Sequence, residues 1–144
     1  MKPLFLLAAL VVAFAFTGCK REGCTESNAL NYDSEAKKND GTCSFSNVTF
    51  YTWTETYFET AGPFDVVKID VSVDGVPIGT IDPVVVYFFG PGNCNSSGTV
   101  SYQLQNGDTH EWNAVMHGPN GETAHSSGVI SSVRGSDCVM IELY

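Results

Sequence analysis

Five cysteines, three histidines and a cluster of asparagines and aspartates are the residues of this chain whose types could do chemistry. The cysteines are Cys19, Cys24, Cys43, Cys94 and Cys138. No two stand two to four residues apart in number, so their spacings do not suggest zinc. An odd count implies that one thiol has a different fate from the others. His110, His117 and His125 fall in or beside neighbouring strand-like stretches, so they could gather around a metal. Their placement is equally that of ordinary strand and turn residues, and ligation would need convergent geometry. No serine sits in a Gly-x-Ser-x-Gly elbow, and no glycine-rich phosphate loop precedes a helix. Acids that could pair for glycoside hydrolysis fall on solvent faces or in turns. The chemistry that is left is binding, and the expectation is a non-enzymatic protein.

Two binding sets can be named. Asn31, Asp33, Asn39 and Asp40 could supply oxygen ligands to calcium, which would be the protein's one cofactor. Their spacing does not fit an EF-hand loop, and capping and turn chemistry account for the same residues. Tyr51, Trp53 and Tyr57 share one face of a strand pattern and could stack on sugar rings. Core packing is the competing use of such aromatics, which favour strands in any case.

Charge narrows the partners. With 16 acidic residues against 7 basic ones, the formal net charge is −9. Such a chain is repelled by nucleic-acid phosphates and anionic headgroups, which excludes a nucleic-acid partner. The length suits one domain of ordinary size plus a small extra module.

The amino terminus gives the address. Met1-Lys2-Pro3 is a positive start, and Leu4 to Phe16 is an apolar run too short to span a bilayer core, which takes about 20 residues. It has the length of a signal-peptide hydrophobic region, and small residues follow it. The Phe16-Thr17-Gly18-Cys19 stretch resembles the lipobox of bacterial lipoproteins, with Phe16 where Leu is usual. That resemblance implies a signal peptide over 1–18, a diacylglyceryl thioether on Cys19, and often an acyl chain such as palmitate on the new amine. Each buried methylene contributes about 0.8 kcal/mol, so two or three chains anchor stably where one does not. Residues 19–23 then form anchor and spacer. Lys20-Arg21-Glu22 loosely resembles the surface-export signal of Bacteroidota-type lipoproteins. The implied location is the cell envelope, on a periplasmic or surface face of the outer membrane.

With Cys19 lipidated, four cysteines remain, and an even set in an exported chain reads as two disulfides. Three pairings are open. Cys24–Cys43 with Cys94–Cys138 is preferred, because each pair closes within its own segment.

Residues 24–43 resemble a short cysteine-bounded repeat of secreted Bacteroidota proteins, carried by Cys24-Thr25, Ala29, Asn31-Tyr32, Ala36 and Asp40-Gly41-Thr42-Cys43. So small a unit needs its disulfide to stay folded. Asp33 is expected to cap a helical turn over Ser34 to Lys38, and Asn39-Asp40-Gly41 to reverse the chain. Ala29, Leu30, Tyr32 and Ala36 would form its small core.

From Ser46 the period changes to two. Val48 to Thr54 and Val67 to Val73 read as strands, and Asp74-Gly75 is a strong hairpin signal into Val76 to Ile81. Pro77 assigns that return strand to a sheet edge. Val84 to Phe89 reads as a strand covered on both faces. Val100 to Leu104, Thr109 to Met116, Gly128 to Val133 and Cys138 to Tyr144 complete the set, with His110, Trp112, Ala114 and Met116 on one face. About eight short strands over 46–144 predict an all-β domain, a single antiparallel β-sandwich. The layout resembles small Ig-like surface modules of bacteria. Such a module implies protein interaction or scaffolding with an envelope partner, or binding of a surface glycan or calcium.

Overall fold

The computed structural model of the protein describes residues 20–53, 64–82 and 84–143. The expected signal peptide, Cys19 and Tyr57 lie outside them, as does the side chain of Trp53. The described chain is all β, in two packed layers with a small appended module.

The first layer is built around β3 (Asn47–Trp53). It pairs in parallel with β10 (Cys138–Glu142), antiparallel with β7 (Val100–Gln103), and in parallel at its end with the short β6 (Val86–Tyr87). The second layer is antiparallel throughout, in the order β5 (Val76–Ile81), β4 (Lys68–Val73), β8 (His110–His117), β9 (Thr123–Ile130). Alternation selects the faces. In β4, Ile69, Val71 and Val73 are buried, and in β8, His110, Trp112, Ala114 and Met116 are buried. Apart from His110, they meet Val48, Phe50 and Val100 of the first layer, and Leu104 just past β7, in one core. Phe50 and Trp112 touch across it, with ring centroids 5.6 Å apart.

The turns follow local rules. Asp74 and Gly75 both have positive φ, 50° and 75°, as a two-residue hairpin matching the strand twist requires. Pro77 sits on the edge strand β5, whose register shifts beside Val71 and Ser72. The disulfides are Cys24–Cys43 and Cys94–Cys138, the preferred pairing.

The small module holds a two-residue parallel pair, β1 (Glu22–Gly23) with β2 (Lys38–Asn39). It shares the main core: Cys24, Ala29 and Phe45 are buried with the sandwich residues. Asn28 Nδ2 donates to Gly107 O at 3.0 Å, and the Arg134 guanidinium lies 5.0 Å from the Tyr32 ring centroid. The module therefore rests on the sandwich rather than on its own core alone.

Three local expectations change. Residues 34–38 form a turn leading into β2, not a helical turn; Asp33 Oδ1 accepts from Glu35 N–H at 2.9 Å and caps that turn. Val84 to Phe89 is not a doubly covered strand: among the described residues, Val86–Tyr87 is the part that joins a sheet, and Phe88 and Phe89 are exposed. Apolarity alone identified that run, and the described part of β3 pairs with it at Thr52 and Trp53. The strand expected from Gly128 begins at Thr123 and ends at Ile130. Its inward residues are small because the Trp112 indole occupies the space above Gly128, so no apolar alternation marks it.

Candidate functional site

The histidines occupy separate places. His110 opens β8 after the Asn106-Gly107 turn, and its Nδ1 lies 2.6 Å from Asp74 Oδ2. Asp74 Oδ1 also accepts from Glu111 N–H at 2.9 Å. Asn106 Oδ1 accepts from Asp108 N–H at 3.0 Å, which orients the amide, and the same oxygen stands 2.9 Å from His110 Nε2. Both ring nitrogens thus face oxygen acceptors, and a ring protonated on both can donate to both. The hydrogen bond from His110, then that from the Glu111 amide, holds the Asp74 carboxyl below its usual value.

His117 closes β8, with Nε2 2.9 Å from Asp70 Oδ2. Thr80 Oγ1 donates to Asp70 Oδ1 at 2.7 Å, and Lys68 Nζ stands 3.0 Å from Oδ2. The Thr80 hydrogen bond is the largest of the influences that lower the Asp70 carboxyl, with Lys68 and His117 adding to it. His125 is exposed on β9 opposite Val115. His110 and His117 stand at the two ends of one strand, about 23 Å apart at 3.3 Å per residue. They cannot share a metal. Among the described residues, no three of His, Cys, Asp and Glu are grouped to hold one. The two Asp–His pairs join strands and turns, a relationship that the sequence reading missed because Asp74 reads there only as a hairpin residue.

The four calcium candidates are engaged within the module. Asn31 donates to Thr42 O at 2.7 Å and accepts from Ser44 N–H at 2.9 Å. Asp33 meets Arg21 Nε at 2.8 Å, and Asn39 Oδ1 accepts from Gly41 N–H at 2.9 Å. Asp40 Oδ1 accepts from Thr42 Oγ1 at 2.7 Å and from Thr42 N–H at 2.9 Å, and these two bonds lower its carboxyl. Asp33, Asn39 and Asp40 each shape a local turn, as capping and turn chemistry predict, and Asn31 ties its segment to Thr42 and Ser44.

The aromatics gather at the far end of β3. Tyr51 is half-buried, and its ring meets that of Tyr87 edge to face, with centroids 6.3 Å apart and planes at 85°. Burial first, then the Glu142 carboxylate, pushes the Tyr51 hydroxyl up. Tyr87 Oη donates to Ser97 O. Immediately beyond, Phe88 is 70% and Phe89 100% exposed. The Thr52 hydroxyl donates to Val85 O at 2.8 Å and fastens the start of this segment to the sheet. Of the sugar-platform candidates, the described side chain is therefore Tyr51. Among the described residues, the two most exposed aromatics are ones that the sequence placed inside.

A shallow groove of about 490 Å³ runs over the outer face of the second layer, lined by Ser72, Glu111, Asn113, Ser127 and Val129. It is open and of mixed polarity. The chain matches no protein-family model, no curated protein and no solved structure.

Proposed function

We propose that the chain is a lipid-anchored envelope protein that acts without catalysis, its sandwich serving as an interaction module for a partner protein. The observation that carries the interaction is the Phe88-Phe89 pair, 70% and 100% exposed beside the Tyr51–Tyr87 contact. Burying a phenylalanine side chain contributes about 1.5–3 kcal/mol. Adjacent exposed aromatics on an acidic domain are suited to a partner's apolar pocket, where such anchors dominate binding energy. A sugar platform wants ring faces turned together to solvent, and the Tyr51 and Tyr87 planes stand nearly perpendicular. That geometry favours a protein partner over a glycan. Calcium does not enter this reading, because its four candidate side chains are engaged in hydrogen bonds and an ion pair with neighbouring residues.

The anchor rests on the Phe16-Thr17-Gly18-Cys19 stretch and on parity, since two disulfides among the other four cysteines leave Cys19 over. With that anchor, the body would sit at the outer membrane, on its periplasmic or surface face. Two experiments test the reading. Cys19→Ser is expected to move the protein from the membrane to the soluble fraction; retention on membranes would sink the anchor. A photo-crosslinker at Phe89 in the full chain is expected to trap one discrete protein partner in cells, lost on Phe88→Asp. An absence of any adduct, together with a polysaccharide that raises the melting temperature, would replace the protein partner with a glycan.

A further inference from the structure

Among the described residues the second layer ends in β9, and this edge differs from the opposite one. Edges that offer free peptide groups recruit other strands, and proteins usually blunt them with proline, charge or a bulge. β5 carries Pro77 and a register shift. β9 (Thr123–Ile130) contains neither proline nor Asp, Glu, Lys or Arg, and it pairs with β8 in unbroken register from His110↔Ile130 to His117↔Thr123. Among the described residues, β8 is its only strand partner.

Which peptide groups face outward follows from the ladder. Gly118 N donates to Glu122 O at 2.9 Å across the hairpin. Hydrogen-bonded and non-bonded pairs alternate in an antiparallel ladder. The bonded pairs are therefore Met116 with Ala124, Ala114 with Ser126, Trp112 with Gly128, and His110 with Ile130. On the other side of β8, Asp74 N donates to Glu111 O at 2.7 Å, which assigns the odd-numbered residues of β8 to β4 and agrees with this phase. The N–H and C=O groups of Thr123, His125, Ser127 and Val129 consequently point to the free edge. All four side chains are exposed.

We infer that this edge pairs with β9 of a second copy of the chain, antiparallel about a two-fold axis through Ser126. One register engages all four outward peptide units of both copies: Thr123 faces Val129, His125 faces Ser127, and Ser126 faces itself. A shift of two residues leaves Thr123 or Val129 unmatched. The register sets no like-charged carboxylates opposite each other, and Glu122 falls across from Ile130 of the second copy. The chain's net charge of −9 opposes contact over most of its surface, so two copies meet at least electrostatic cost along an edge with no acidic residue. An isologous contact closes on itself, and pairing yields one continuous sheet of both second layers rather than an open fibre.

Sedimentation of the full chain in detergent micelles tests this, together with cysteine cross-linking. Facing residues of a non-bonded antiparallel pair have Cα atoms about 4.5 Å apart, within the range that a disulfide spans. Ser126→Cys is expected to form a covalent dimer under mild oxidation. Thr123→Cys is expected not to, since its counterpart lies about 20 Å along the strand. Ser127→Pro removes only an outward N–H and should give a monomer with native near-ultraviolet dichroism. A wild-type chain that sediments as a monomer at every concentration overturns the inference, as does cross-linking by Thr123→Cys as readily as by Ser126→Cys. The wild-type mass and the cysteine pair decide the matter even if Ser127→Pro does not fold.

Discussion

His110 Nδ1 lies 2.6 Å from Asp74 Oδ2, and through that contact the turn after β4 is fastened to the turn before β8. The ring is buried, and its other nitrogen reaches Asn106 in the β7–β8 connection. One side chain thus ties two hairpins that are far apart in sequence.

His110→Ala should therefore loosen both turns at once. Losing its hydrogen bonds and its packing is expected to cost about 1–3 kcal/mol. A denaturant titration that shows an unchanged midpoint would mean that the ring is incidental to stability. Hydrogen exchange should report the loss first at Asp74 to Val76 and Asn106 to His110.

Acid should destabilise the protein in a definite window. The Asp70 and Asp74 carboxyls, ordinarily near 3.8, are held lower in the folded state, by the Thr80 and His110 hydrogen bonds first. A lowered folded value means that the unfolded chain binds protons more readily, so stability rises with pH through this range. The contribution is full above the ordinary value and disappears as pH falls through the folded value. Melting curves across the acid range check this, and Asp70→Asn with Asp74→Asn should flatten the dependence.

The two disulfides should differ in weight. They close loops with sequence separations of 19 and 44 residues. In the chain-entropy account, these contribute about 3 and about 4 kcal/mol respectively. The paired replacement Cys94→Ala/Cys138→Ala is expected to lower the melting temperature more than Cys24→Ala/Cys43→Ala. The reverse order would show that the module's contacts at Asn28, Phe45 and Arg134 support the sandwich more than the long loop does.

Gly128→Ala should disturb the core from the edge. An added Cβ would stand 2.9 Å from Trp112 Nε1 and 3.0 Å from its Cε2, and Trp112 in turn abuts Phe50. Overpacking of this kind costs about 1–3 kcal/mol. Reduced stability with a shifted tryptophan emission is the expected result. Unchanged stability would show that the indole can move aside freely.

Residue type and spacing by themselves determined much of this protein. Period-two burial in Lys68–Val73 and His110–His117, the Asp74-Gly75 hairpin, the Pro77 edge and both disulfides were legible, because each depends on local rules or on parity. Tertiary structure decided the rest. It decided that β10 runs parallel to β3, since a pairing between residues some 90 apart leaves no local pattern. It turned Phe88 and Phe89 outward, because hydrophobicity records a tendency to be buried but not whether a neighbouring strand remains to cover it. It also extended β9 back to Thr123, whose small inward residues make sense only once Trp112 from the next strand fills the space above Gly128. A chain specifies its periods and turns locally, whereas the partner across each edge depends on which surfaces the whole fold has already covered.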